Sequence, residues 1–127
     1  MTPSRFALLR SVLSTAFLAC VPANADTVQL ALDLNPGPRG SGPSSLVAYK
    51  GDLYFRGTRF SDVGTELFRW NGTTLTVIDI YPGTGSGYPQ HFAEYNGALY
   101  FSANGQAGQG TELWRYDGTA LSKAGQN

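Results

Sequence analysis

Past residue 26 the chain is written in short apolar runs separated by glycine-bearing turns. Ser45-Leu-Val-Ala-Tyr49 and Leu53-Tyr-Phe-Arg56 flank Lys50-Gly51, and Glu66-Leu-Phe-Arg-Trp70 and Thr74-Leu-Thr-Val-Ile-Asp79 flank Asn71-Gly72. Runs of this length between such dipeptides predict strands joined as tight hairpins, with type I′ turns that need positive φ at both central residues. Helical spacing is nowhere sustained beyond the first 25 residues. Leu53-Tyr54-Phe55 does not alternate apolar with polar. Neighbouring residues of a strand point to opposite faces, so a sheet built on this run must be covered on both sides.

The pattern then recurs. Residues 33–78 align without a gap on residues 79–124, with 17 of 46 positions identical. Asp33, Pro36, Gly37 and Pro43 return as Asp79, Pro82, Gly83 and Pro89. Tyr49, Gly51, Leu53, Tyr54 and Phe55 return as Tyr95, Gly97, Leu99, Tyr100 and Phe101. Gly64, Thr65, Glu66, Leu67 and Arg69 return as Gly110, Thr111, Glu112, Leu113 and Arg115, and Gly72, Thr73 and Leu75 as Gly118, Thr119 and Leu121. A period of this size points to propellers, solenoids or arrays. Sheets that are greasy on both faces and repeat in tandem suit propeller blades, each stacked between two neighbours. The expected class is all-β, with two four-stranded antiparallel units.

The segment "TELWRYDGT", with "NGALYF" before it and "DIYPGTGSGYP" leading the unit, resembles the bacterial ELWxxDGT repeat, a β-propeller-type module of secreted and surface proteins. The resemblance covers residues 33 to 124. In the first unit Phe68 replaces the tryptophan and Asn71 the aspartate. The strand order is also similar to that of kelch blades, although the double glycine of kelch is absent. The resemblance implies a fold and an exported location, but no particular reaction or ligand.

Closed propellers use four to eight blades. Two blades leave two apolar faces bare, and several hundred Å² of apolar surface is worth on the order of 10 kcal/mol. Self-association or further repeat blades are therefore expected. Thr27-Val-Gln-Leu-Ala-Leu-Asp33 aligns with Thr73–Asp79, so residues 27–33 are expected to form an extra N-terminal strand that pairs with a final blade. The last strand is weakened, because Lys123 and Ala124 stand where Val77 and Ile78 stood.

The N-terminus has Arg5 and Arg10, an apolar run from Ser11 to Val21, and Ala23-Asn24-Ala25 before Asp26. This is the layout of a secretory signal peptide cleaved after Ala25, which places residues 26–127 in the periplasm, at the cell surface or outside the cell. Phe17-Leu18-Ala19-Cys20 loosely resembles a lipoprotein box, but Ala23-Asn24-Ala25 is the cleaner cleavage site, so no lipid anchor at Cys20 is expected. Without the two leader arginines, seven basic residues face nine acidic ones. That balance gives no cationic surface for nucleic acid, and no later segment has the roughly 20 apolar residues of a membrane span.

Candidate chemistry is thin. Glu66 and Glu112 recur at the start of a strand and are expected to meet backbone donors or solvent. Arg69 and Arg115 are expected to pack their stems with solvated heads. His91 is the sole histidine and lacks the partners of a metal or catalytic set. Asp117-Gly-Thr and Asn71-Gly-Thr lack calcium-loop spacing, and Asn71-Gly72-Thr73 also fits a glycosylation sequon. Gly83–Gly87 opens no helix and reads as a flexible loop rather than a phosphate cradle. Trp70, Trp114 and Tyr116 are expected in the core between blades. No catalytic, cofactor or metal residues are assigned, and the chain is not expected to be an enzyme. In a four-strand meander the long loops 35–44, 57–65, 81–90 and 103–111 share one rim, where Arg59, Asp62, Tyr81, Tyr88 and Gln106 are the exposed candidates for contact with a protein or glycan. The alternative expectation is a fragment or remnant of a longer secreted propeller, an enzyme with its catalytic residues in other blades.

Overall fold

The computed structural model describes residues 27–106 and 108–125, so the expected leader, its expected cleavage after Ala25 and Cys20 lie outside the described residues. Every strand falls in the compact unit that begins at Leu32. Among the described residues there is no helix. Sheet 1 consists of β1 (Ser44–Tyr49), β2 (Asp52–Arg59), β3 (Gly64–Trp70) and β4 (Leu75–Ile78). Sheet 2 consists of β5 (Gln90–Tyr95), β6 (Ala98–Asn104), β7 (Thr111–Tyr116) and β8 (Leu121–Lys123). Each is a four-stranded antiparallel meander in chain order.

The first hairpin of each sheet turns as the dipeptides require. Lys50 and Gly51 have φ of 48° and 81°, and Asn96 and Gly97 have 48° and 74°. The second hairpins differ from expectation. Trp70 pairs with Leu75, and Tyr116 with Leu121, so four residues intervene rather than two. Only the glycine has positive φ, 97° at Gly72 and 101° at Gly118. The turn is closed by a side chain. Asn71 Oδ1 accepts from the amides of Thr73 and Thr74 at 2.9 and 2.7 Å. Asp117 Oδ1 accepts from Thr119 and Ala120 at 2.9 and 2.8 Å. An Asx side chain mimicking backbone, followed by glycine, explains the recurring Asx-Gly-Thr. The same donors hold the Asp117 carboxyl below its ordinary pKa, Ala120 N–H most strongly.

The first strand of each sheet carries a bulge at an equivalent place, between Ser44 and Val47 in β1 and between Gln90 and Ala93 in β5. The extra residue sits near left-handed backbone at Ser45 and His91, with φ of 54° and 59°. Bulges of this kind re-aim the strand and raise its twist.

One core joins the two sheets: Tyr49, Tyr54, Leu67 and Ile78 from sheet 1 pack with Leu99, Phe101, Ala103 and Tyr116 from sheet 2. Burying each large side chain contributes about 1.5–3 kcal/mol. A second cluster lies on the back of sheet 1, where Phe55 stacks on Phe68 and Leu34 covers them beside Leu32, Leu53 and Trp70. Within a single chain the extra strand expected at residues 27–33 is not paired, and the fourth place beside β7 belongs to β8. Three β8 pairs hold that place, so residues 27–33 could take it only by displacing them.

Candidate functional site

The most heavily constructed part of the molecule is the seam where the chain leaves sheet 1 and enters sheet 2. Glu66 lies near the start of β3 and is fully buried. Its Oε2 accepts from the Ile80 amide at 2.8 Å and its Oε1 from the Gly87 amide at 2.6 Å. The carboxylate thus ties down both ends of the crossover loop. Loss of water around it pushes the Glu66 pKa up to about 7, even though the two amide bonds favour the charged form. Neighbouring backbone completes the seam. Thr65 N–H donates to Ser86 Oγ at 2.9 Å, Tyr88 N–H to Thr65 O at 3.2 Å, and Asn104 N–H to Gly87 O at 2.7 Å.

Gly87 permits a close approach here. A Cβ at that position would stand 2.9 Å from both Glu66 Oε2 and Ile80 Cβ. The stretch Gly83–Gly87, which reads in the sequence as a flexible loop, is therefore pinned at its far end. Sequence reasoning finds the repeating glutamate but not its partners, because a backbone amide leaves no mark in the letters and Gly87 has Ser41, not glycine, as its counterpart.

The opposite rim is fastened separately. Tyr49 O–H donates to Gly97 O at 2.6 Å, and Lys50 Nζ to the Asp117 carbonyl at 2.6 Å. Burial around Tyr54, which meets the Tyr49 ring edge-on at 5.5 Å, pushes its phenol up to about 12.

The five rim candidates do not converge on one centre. Arg59 and Asp62 satisfy each other through two bonds of 2.7 Å, and the Arg59 hydrogen bond lowers the Asp62 pKa. Tyr88 is exposed, has φ of 48°, and lies beside the Arg56 guanidinium at 5.3 Å. Tyr81 folds toward Gly85, and Gln106 is exposed with its carbonyl accepting from Gln109 N–H. A shallow groove of about 280 Å³ opens beside them, lined by Leu34, Asn35, Pro36, Pro38, Arg39 and Phe60. Arg39 stands 5.2 Å from the Phe60 ring.

His91 is exposed, and its Nδ1 is 3.0 Å from Ser102 Oγ. Arg69 pairs with Asp52 at 2.5 Å, and Arg115 with Asp117 at 3.3 Å, so neither head is simply solvated. Trp114 joins the core between the sheets and donates to Ala103 O at 3.1 Å, and Tyr116 is buried there. Trp70 belongs instead to the cluster on the back of sheet 1. Among the described residues no group of three His, Cys, Asp or Glu side chains is placed to hold a metal ion. A scan of protein-family models and searches of curated proteins and of solved structures return no match to this chain.

Proposed function

We propose that this chain is an exported, non-catalytic repeat module of β-propeller type that binds a protein or a glycan at the cell surface. The observation that supports this reading is the long-loop rim fastened by Glu66. Its carboxylate and the adjoining backbone bonds fix residues 80–88 on a rigid base, and exposed Tyr88 stands there beside the half-buried Arg56 of β2. Aromatic faces and cations held on rigid loops suit recognition without chemistry. The test uses an immobilised surface extract of the producing cells, untreated, protease-treated or periodate-treated. Binding to the untreated extract that Tyr88→Ala weakens at least tenfold, with unchanged melting, supports the reading. The treatment that abolishes binding identifies protein or glycan. Absence of binding to the untreated extract would refute the reading.

A second reading is favoured by one feature, the exposed apolar face of sheet 2, where Tyr95 and Leu113 meet solvent. On this reading the chain is a section or remnant of a longer secreted propeller, an enzyme with its catalysis in other blades. The mass of the natural product, detected with an antibody to residues 79–124, separates the two. A longer product containing more ELW units supports a section of a longer propeller, and a product of this length excludes a section.

A further inference from the structure

The two sheets of this chain are one design used twice, and only one copy is finished. In sheet 1, Tyr49 is 1% exposed and Leu67 is fully buried against sheet 2. Their counterparts in sheet 2, Tyr95 and Leu113, are 65% and 53% exposed. The Tyr95–Tyr100 rings keep the edge-on arrangement of Tyr49–Tyr54, with centroids at 6.0 Å in place of 5.5 Å. Glu112, the counterpart of the buried Glu66, is exposed. Sheet 2 therefore presents to solvent the same face that sheet 1 uses to hold a sheet.

The face that would be held is also present, on the back of sheet 1. There Leu46 is 60% exposed and Leu53 and Trp70 are half-buried. Their counterparts on sheet 2, Phe92, Leu99 and Tyr116, pack into the core against sheet 1. The incoming loop is preformed as well. Ser41 O accepts from Thr58 N–H at 2.8 Å, as Gly87 O accepts from Asn104 N–H at 2.7 Å. Gly37, Gly42, Ser45 and Gly64 repeat the left-handed backbone of Gly83, Tyr88, His91 and Gly110. Leu34 is buried on sheet 1 as Ile80 is within the core it shares with sheet 2.

We propose that the free face of sheet 2 receives the back of sheet 1 of a second copy of this chain, head to tail, repeating the contact between the chain's own sheets. The 46-residue offset names the atoms. Glu112 accepts from the Leu34 and Ser41 amides of the second copy, and Tyr95 O–H donates to its Gly51 carbonyl. Leu113 and Tyr100 close over its Leu46 and Leu53. Ser41 carries a Cβ where Gly87 has none, so Glu112 seats a few tenths of an ångström further out than Glu66. Two different patches meet in such a contact, so it continues from copy to copy and ends in a ring if the rotation closes. The proposal deepens the reading of the chain as a propeller-type module and names its partner.

The experiment is sedimentation of the purified chain with two charged variants, Leu113→Asp on the receiving face and Leu46→Asp on the entering face. Both side chains are exposed, so the circular dichroism of each variant should match that of the parent, and its melting should match at concentrations low enough to dissociate the parent. The parent should form a closed ring or a concentration-dependent series. Each variant alone should be monomeric, its association weakened at least a hundredfold. An equal mixture should form a dimer and stop, since each variant keeps the face that the other has lost. A monomeric parent at its highest soluble concentration, a variant that associates like the parent, or a mixture that stays monomeric would each overturn the proposal. Binding of the rim to the cell-surface extract is a separate readout. If it persists while association fails, the assembly inference falls and the binding reading stands.

Discussion

Sheets 1 and 2 share their strand order, their bulge, their side-chain-capped turn and most of their large residues, yet equivalent residues live in different surroundings. Leu67 is fully enclosed and Leu113 half exposed. Tyr49 bonds across to Gly97, whereas its counterpart Tyr95 stands in solvent. Glu66 is sealed with two backbone amides, and Glu112 is open. Local residue choice sets the form of a sheet in both cases. Burial, and with it stability, comes only from what lies on its face. The pair is thus an internal control in which the residue is held constant and the environment is changed.

The comparison is broken most forcefully at the glutamates. Glu66→Ala strips the acceptor from two buried amides, each costing about 1–3 kcal/mol when left unmade, so a loss of about 4 kcal/mol in urea unfolding is expected. Glu112→Ala should cost less than about 0.5 kcal/mol in dilute solution, as exposed substitutions do. Equal losses would show that the seam does not carry the difference. Leu67→Ala should follow at about 3 kcal/mol, within the range for buried leucines, with Leu113→Ala well below it. Raising the protein concentration should bring the Glu112 and Leu113 values toward those of their partners if copies associate.

A pH series sharpens the contrast. Glu66 keeps its proton more firmly folded, with a pKa of about 7 against an ordinary 4.5, so the folded state binds more protons between these values. The stabilisation is complete below pH 4.5 and is lost as pH rises through 7. Up to about 3 kcal/mol is involved, because each tenfold gain in proton affinity on folding contributes roughly 1.4 kcal/mol. Urea midpoints should fall across that window in the parent and stay flat in Glu66→Gln, and a parent curve without the fall would remove the buried-acid account. The smallest effect is at the tyrosines. Tyr49→Phe deletes the 2.6 Å bond to Gly97 O and should cost about 1 kcal/mol, and Tyr95→Phe almost nothing.

Much of this is legible in the letters. Apolar runs bounded by Lys50-Gly51 and Asn96-Gly97 place strands and turns, because glycine, joined by asparagine in the second copy, accepts positive φ. The need for cover on both faces follows from Leu53-Tyr54-Phe55. The second hairpin is longer than its dipeptide suggests because Asn71 and Asp117 act through their side chains, a closure that a two-residue turn rule does not register. Residues 27–33 have the pattern of a strand, but the pattern does not name a partner, and the place their repeat counterpart would take beside β7 is held by β8. The seam is half legible. Repetition marks Glu66, while its partners are amides of no distinctive residue, brought near only once the sheets have packed.

The crossover seam has a consequence for descent. Its acceptor belongs to one 46-residue unit and its donors to the next, so a duplicated stretch of gene carries both halves of the joint in the right order. Lengthening such a chain needs no new invention at the junction. Shortening it leaves one unused half at each end, a carboxylate without its amides and amides without their carboxylate.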